Sequence, residues 1–199
     1  FNAVEAEVYA FSTFFTAIVV WLALLWSEKA DEQGNERNIL IISYMIGLAT
    51  GLHLLNLLTI PFVALLIYFR KFKFQWTSFG ILVALTGLVF FIIHNVIIKG
   101  MPKIADAIGV SLTGLLILVI FTGMVWAVLN HKQLISIVLT SMVLILIGYS
   151  TYALIFIRSN QDPGIDENDP ETVEAFISYL EREQYGDVGM FPRRFKGIK

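Results

Sequence analysis

The stretch GLATGLHLLNLLTIP, residues 47–61, organises the rest of this chain. It lies inside residues 39–69, a run of about thirty residues that contains no charged side chain. One crossing of a bilayer takes roughly 20 apolar residues, so this run is too long for one span and too short for two comfortable spans with a loop. We therefore predict a tight helical hairpin that turns around Asn56. Pro61 falls in the first turn of the second helix, where its missing amide hydrogen needs no partner.

The hairpin carries small and polar residues at defined positions. Gly47 and Gly51 are four residues apart, a spacing that lets another helix approach closely. His53 and Asn56 lie near the turn, and hence at one edge of the bilayer. Two interpretations of this pair are open. They bind a polar headgroup or assist catalysis, or they satisfy backbone groups that the turn leaves unpaired.

Composition places the whole chain in a membrane. Its 199 residues are 57% hydrophobic and 15% charged, and the mean hydropathy is +0.74. Soluble domains average about 45–50% apolar and about 25% charged residues. Cysteine is absent, which excludes disulfides, thiolate metal sites and cysteine nucleophiles. There is no basic face for nucleic acid, so the bilayer is the expected partner.

The pattern of apolar segments predicts an all-α, polytopic transmembrane helix bundle of about six spans. Residues 1–158 form this bundle, and residues 159–199 form an acidic tail. The loops at residues 27–38, 70–73 and 130–133 carry more lysine and arginine than the opposite loops, which favours the cytoplasm for that face. The turn at Asn56 and the tail are then extracytoplasmic. The six predicted spans are residues 10–26, 39–55, 57–69, 76–98, 108–129 and 134–157, and a break at residues 99–103 separates the fourth from the fifth.

The tail contains a predicted amphipathic helix. Asp169 is expected as its N-cap and Pro170 as its first helical residue, and the helix is expected to end near Gly186. Its apolar stripe requires a partner, which is the membrane surface, the rest of this chain or a soluble domain that follows. The stripe consists of Val173, Phe176, Ile177 and Leu180.

Few side chains offer chemistry. Glu5 and Glu7 precede the first apolar segment. They are either a general base or metal ligand at the membrane boundary, or solvated acids favoured by a helix N-terminus. His94 and Asn95 have the same two interpretations as the hairpin pair, and hydrogen bonds between helices are the simpler one. No charge has to lie within a span, which weakens a transporter function.

Four blocks together resemble a known family. They are AEVYA at residues 6–10, the hairpin stretch, STYALIFIRSNQDPGIDENDPE at residues 150–171, and YLEREQYGD at residues 179–187. This set is similar to a family of multi-pass bacterial membrane proteins related to a eukaryotic transmembrane protein O-mannosyltransferase, within the GT-C glycosyltransferases.

The resemblance implies a function and a site. Such enzymes transfer a sugar from a polyprenyl-phosphate carrier to an extracytoplasmic acceptor, which can be a protein, and a bacterial member would lie in the inner membrane. Glu7, with Glu5 beside it, would be the active-site acid. His53 and Asn56 would line the carrier or sugar site, and Arg158 would hold phosphate through a bidentate contact. The resemblance leaves a divalent metal ion open but assigns no metal ligands.

Two further expectations follow. The family carries an earlier span and an acid-containing loop, so the chain resembles an internal fragment that would be inactive alone. The alternative function is a non-enzymatic membrane subunit or scaffold whose tail helix binds a partner. A transporter would require a polar pathway through the bundle.

Overall fold

The fold is known from a computed structural model that describes residues 3–51, 53–166 and 168–181, without the side chains of residues 3–8 and Leu54. All regular secondary structure in these ranges is helical, which confirms the predicted all-α class. The α-helices of the described ranges are α1 (Ala3–Glu28), α2 (Glu36–Thr50), α3 (Thr59–Lys71), α4 (Trp76–Phe91), α5 (Gly100–Ile108), α6 (Val110–Leu129), α7 (Gln133–Tyr149), α8 (Ala153–Ser159) and α9 (Val173–Glu181).

Within the described part of the chain, four helical segments are long and apolar enough to cross a membrane by length and composition. They are Tyr9–Glu28, Trp76–Ile98, Val110–Leu129 and Gln133–Ser159. Helices α2 and α3 have 15 and 13 residues, fewer than the roughly 20 that a span usually needs. A membrane protein is therefore confirmed, and the count of six spans stays a prediction.

The hairpin forms as predicted around Asn56. Helix α2 ends at Thr50, a 3₁₀ turn covers Leu54–Leu58, and α3 begins at Thr59 with Pro61 in its first turn. Helix α2 is thus shorter than the predicted segment to Leu55. The reason is His53, whose extended backbone breaks the helix.

Helix α2 runs parallel to α7. At one end the side chain of Gln133 donates to Glu36 Oε1 at 2.7 Å. At the other end the Tyr152 hydroxyl, just beyond α7, donates to the carbonyl of Thr50 at 2.7 Å. Both helices therefore extend over the same distance in the same direction. The predicted hairpin helix follows α7 along its length.

Glycines bring these two helices into backbone contact. A Cβ atom added to Gly47 would lie 2.5 Å from the carbonyl oxygen of Ile145, and one added to Gly148 would lie 2.6 Å from the amide nitrogen of Leu48. The predicted close approach at Gly47 is confirmed, and Gly148 is the facing residue. A Cβ added to Gly51 would lie 3.1 Å from the hydroxyl of Thr151, so this glycine also faces the last helical segments.

The loops predicted to share one face do lie together. Arg70 and Lys71, at the end of α3, bind the carboxylate of Asp31 in the α1–α2 loop at 2.7 and 2.8 Å. The contact between Gln133 and Glu36 brings the α6–α7 turn to the same end. Which compartment this end faces stays a prediction.

The fourth predicted span does end at Ile98, but the break predicted at residues 99–103 is confined to a turn at Lys99. Helix α5 begins at Gly100, with Pro102 in its first turn, and it continues to Ile108. A second interruption follows at Gly109, whose φ of +85° suits a residue without a Cβ. Before α5, the chain of α4 continues as a π-helix over Ile92–Ile98.

The core lies where α1, the hairpin, the π-helix and the end of α7 meet. The hydroxyl of Tyr149 is buried there and donates to the carbonyl of Ile98 at 2.8 Å, which satisfies a backbone oxygen at the end of the π-helix. The buried cluster comprises Val19, Leu22, Ala23, Ile42, Ile46, Leu57, Ile60, Ile93, Ile97, Ile98 and Tyr149.

The tail helix starts later than predicted. Its N-cap is Thr172, whose hydroxyl accepts the amide hydrogen of Ala175 at 3.1 Å. Asp169 has a φ of +45°, and Pro170 precedes the helix. Asp169 is therefore not the N-cap and Pro170 is not the first helical residue. The predicted end near Gly186 lies outside the described residues.

The partner of the tail helix is the rest of this chain. The ring of Phe176 meets that of Phe156 in α8 at 5.9 Å between centroids. Leu180 is 8% exposed, and Glu181 pairs with Lys103 of α5 at 2.5 Å. Of the three options for the apolar stripe, the structure shows the intramolecular one.

Candidate functional site

Asn56 joins the hairpin turn to α1. Its side-chain oxygen accepts from the hydroxyls of Thr16 at 2.9 Å and Ser12 at 3.3 Å. Its amide nitrogen donates to the carbonyls of His53 at 3.1 Å and Ala49 at 3.3 Å. The side chain is only 2% exposed. Asn56 thus satisfies backbone groups of the turn, which was the second of its two interpretations, and it also binds a neighbouring helix.

His53 lies at the surface of the same turn. Its Nδ1 accepts the amide hydrogen of Leu55 at 3.1 Å, so a neutral His53 ring carries its hydrogen on Nε2. The ring is half-buried and lies 5.7 Å from the ring of Tyr9 in α1. Among the described residues no hydrogen bond involves Nε2, so this atom is available as a donor to a ligand.

Glu5 and Glu7 belong to the first turns of α1, and their side chains lie outside the described part of the structure. Their helix is nevertheless fixed at this corner. Tyr9, two residues after Glu7, contacts His53, and Ser12 and Thr16 follow on α1. The structure therefore brings the start of α1 to the α2–α3 turn.

An apolar groove lies beside this corner. It has a volume of about 370 Å³ and separates the first half of α1 from the end of α2 and the start of α8. An aliphatic chain fits a surface of this kind inside a bilayer. The lining residues are Phe11, Phe15, Leu48, Gly51, Thr151, Tyr152 and Ile155.

Arg158 lies one turn beyond the groove. It is exposed in the last turn of α8, three residues after the groove-lining Ile155. The negative end of the helix dipole also stabilises a cation at that position. Within the described ranges Arg158 makes no ion pair, and it is not among the hydrogen-bond partners of His53 and Asn56.

His94 and Asn95 lie in the π-helix, an irregularity that sequence reasoning missed. The ring of His94 stacks on Phe90 at 6.1 Å, and the Asn95 side chain donates to the carbonyl of Phe91 at 3.3 Å. Both contacts are within their own helical segment, so Asn95 does not make the predicted bond between helices. Neither residue has a hydrogen bond or ring contact with a described residue of the His53 turn.

The tail holds an acidic cluster that the sequence did not single out. Asp166, Asp169 and Glu171 have carboxylate oxygens within 4.8 Å of one another, and they could hold a metal ion. The negative charge of Asp169 raises the pKa of Glu171. Partial burial and the charges of Asp162 and Asp166 raise this pKa further. Acids this close to solvent are common without a metal. The left-handed backbone at Asp162 and Asp169 brings them together, and no spacing in the sequence indicates that.

A second apolar cleft, of about 360 Å³, lies among α2, α3, α4 and α7 and borders the core. Its few polar side chains are the hydroxyls of Ser43, Thr86 and Ser141. Neither of these two mostly apolar clefts supplies the polar pathway that a transporter function would need.

Comparison with known proteins bears on the first three helices. Residues 1–76 match the family described as the protein O-mannosyl-transferase TMEM260 N-terminal domain. This match covers 76 of the 199 residues and supports a relation of this part of the chain to a transmembrane O-mannosyltransferase. It includes Glu5, Glu7, His53 and Asn56. Arg158 and the tail lie outside the matched residues. No curated protein and no solved structure matches the chain.

Proposed function

We propose, from the similarity of residues 1–76 to an O-mannosyltransferase domain, that this chain is part of a GT-C-type membrane glycosyltransferase. It transfers a sugar from a polyprenyl-phosphate-linked donor to an acceptor hydroxyl, with a protein as the favoured acceptor. The observation that carries the proposal is the corner formed by the start of α1 and the α2–α3 turn. All four candidate residues of the matched range belong to these two segments.

Each candidate residue has a role in this proposal. Glu7 accepts the proton of the acceptor hydroxyl while the oxygen of that hydroxyl bonds to the anomeric carbon of the sugar. The bond between that carbon and the phosphate oxygen breaks, and polyprenyl phosphate leaves with the electron pair. Glu5 adds a second negative charge to this site. His53 donates from Nε2 to the sugar or phosphate, and Asn56 positions His53 through the bond to its carbonyl.

The donor lipid is accommodated by the groove beside the corner. Its apolar walls suit an isoprenoid chain, and the groove borders α1 at Phe11 and Phe15, of which Phe11 is two residues from Tyr9. Arg158 lies one turn further along α8, where its guanidinium can meet a phosphate in bidentate geometry. The proposal assigns no ligands to a divalent metal ion that would assist the departure of the phosphate. Whether transfer depends on such an ion is to be measured.

We further propose that this corner faces the extracytoplasmic side of a bacterial inner membrane. Support comes from the cluster of Arg70, Lys71 and Lys73 at the opposite end of α3, which favours the cytoplasm for that end. Reporter fusions after residue 5 and after residue 160 test the arrangement. Both reporters are expected in the same, extracytoplasmic compartment, and a different compartment for each would contradict it.

Sugar transfer tests the catalytic proposal directly. In the full-length protein in membranes, Glu7→Gln is expected to abolish transfer from a polyprenyl-phosphate-linked hexose, with and without added chelator, while expression stays unchanged. Glu28→Gln, at the opposite end of the same helix, is the matched control and should retain transfer. Normal transfer by Glu7→Gln would remove the assigned role.

The alternative function, a non-enzymatic subunit whose tail helix binds a partner, has less support. Phe176 and Leu180, which would form the binding stripe, already pack against this chain. A partner captured by the parent chain and lost in Phe176→Asp, without any bound lipid-linked sugar, would favour that alternative.

A further inference from the structure

The connection between α3 and α4 presents a group of aromatic rings at the end of the bundle opposite to the His53 corner. Phe69, Phe72, Phe74 and Trp76 are 59%, 62%, 48% and 80% exposed. The ring of Phe74 stacks on Phe69 at 6.5 Å and meets Trp76 edge-on at 5.1 Å. We call these four residues the aromatic platform.

The aromatic platform is held in one arrangement by Tyr68. The buried hydroxyl of Tyr68 accepts the amide hydrogen of Gln75 at 3.2 Å and lies 2.6 Å from the hydroxyl of Ser78. Its ring stacks on Phe72 at 5.9 Å. These contacts connect the end of α3 to the start of α4 across the turn. Tyr68 therefore positions the turn that carries the exposed rings.

Positive charge accompanies the platform. Arg70 and Lys71 both bind the carboxylate of Asp31, and they also donate to the carbonyls of Ser27 at 2.9 Å and Ala30 at 2.5 Å. The α1–α2 loop, residues 27–38, carries four acids and two bases, so with the three cations of residues 70–73 the net charge of this connection is +1. Lys73, which lies between Phe72 and Phe74, is exposed and forms no ion pair with any described residue.

The platform lies where a membrane boundary is expected. Trp76 is the first residue of a helical segment that is long and apolar enough to span a membrane. Aromatic rings favour the interface of a bilayer, and a lysine beside them extends its ammonium group towards the headgroups. The ligand that complements both the rings and the excess positive charge is a phospholipid with a net negative headgroup.

We propose that the aromatic platform and Lys73 form a binding site for an anionic phospholipid. Lys73 holds the phosphate, the platform packs against the glycerol and upper acyl region, and Arg70 and Lys71 fix the loop through Asp31. This site is separated from the candidate active site by the length of α3, and it does not depend on the proposed sugar transfer.

The natural absence of cysteine makes a direct test practicable. The full chain with Gln75→Cys, labelled with a fluorophore, is reconstituted in phosphatidylcholine bilayers that contain spin-labelled lipid as quencher. Spin-labelled phosphatidylglycerol is expected to associate more strongly than equally labelled phosphatidylcholine. Lys73→Gln should lower this preference about five-fold, the contribution of one cation near a membrane surface. High salt should lower the preference in the parent chain.

Two variants control the experiment. Lys73→Arg retains the charge and should retain the preference for phosphatidylglycerol. Lys132→Gln removes a charge from the α6–α7 turn, outside the platform, and should leave the preference unchanged. Equal quenching by both lipids in the parent chain would overturn the proposal. It would also be overturned if Lys73→Gln kept the full preference or Lys73→Arg lost it.

Discussion

The side-chain oxygen of Asn56 accepts a hydrogen bond from the hydroxyl of Thr16 at 2.9 Å, between residues 40 positions apart in the sequence. This bond fixes α1 against the turn that carries His53. The apolar residues around it, Val19 of α1 and Leu57 of the turn, are almost completely buried. Asn56 therefore helps to position the proposed catalytic acid relative to His53, together with the ring contact between Tyr9 and His53.

Replacing this amide should weaken the whole bundle. Asn56→Ala removes four hydrogen bonds. Each is worth about 0.6 kcal/mol in a membrane protein, so we expect the free energy of unfolding to fall by about 2 kcal/mol. Denaturation of the purified chain in micelles measures the change. The control Asn95→Ala removes a single bond to the residue's own helix and should cost at most about 0.6 kcal/mol. Equal losses in both variants would contradict the prediction.

The contact between α2 and α7 should not tolerate a methyl group. In Gly148→Ala the new Cβ would lie 2.6 Å from the amide nitrogen of Leu48. This nitrogen belongs to the backbone, which cannot move aside as easily as the end of a flexible side chain. We expect a loss of about 1–3 kcal/mol in the same denaturation measurement, as for other overpacked sites.

Gly114→Ala in α6 is the matched control for that substitution. A Cβ at Gly114 meets nothing within 4 Å, so alanine should be neutral or stabilising by up to about 1 kcal/mol through its higher helix propensity. If Gly114→Ala were destabilised and Gly148→Ala were unaffected, α2 and α7 would not pack through Gly47 and Gly148.

Much of the fold follows from local properties of the sequence. The uncharged run, Asn56 and Pro61 predict the hairpin, because length, turn chemistry and a missing amide each act within a few residues. Helix α5 was missed since Gly100 and Pro102 read as breakers, although proline is compatible with a first helical turn. The start of α9 was placed too early because both Asp169 and Thr172 are good N-caps. Only the tertiary path of the tail selects between them.

The site is predictable in its residues and not in its contacts. His53 and Asn56 stand out because polar side chains are rare in the apolar run. Their partners Tyr9, Ser12 and Thr16 are ordinary members of α1, and only helix packing brings them to the turn. The pairing of Gly47 with Gly148 is equally non-local.

The ion pairs of Asp31 predict an acid-dependent contribution to stability. Hydrogen bonds from Lys71 and Arg70, together with their charges, hold the pKa of the Asp31 carboxyl below its ordinary value. Such a carboxylate stabilises the fold fully above the pKa of the unfolded chain, about 3.9, and loses this effect as pH falls through the folded pKa. Asp31→Asn should therefore lower the melting temperature at pH 7 by a small amount, because the pair is exposed and screened by salt.

Melting curves of the parent and of Asp31→Asn between pH 7 and pH 3 measure this contribution. The difference between them should shrink towards the acid end, as the parent carboxylate becomes protonated. Glu32→Gln is the control, because this neighbour forms no ion pair with a described residue. A difference that is constant with pH, or that grows on acidification, would rule out the ion pair as its cause.

The tail helix should detach when its buried anchor is shortened. Leu180 is the buried residue of α9, at 8% exposure, and Leu180→Ala keeps a good helix former while it removes about 2 kcal/mol of packing. If cleavage follows the population of the detached form, a non-specific protease should cut residues 173–181 about thirty-fold faster. Mass spectrometry of the cleavage products, sampled over time in micelles, measures the rate.

Glu174→Ala changes an exposed side chain of the same helix and should leave the rate unchanged. Cleavage of Leu180→Ala at the parental rate would show that α9 is not held by this contact.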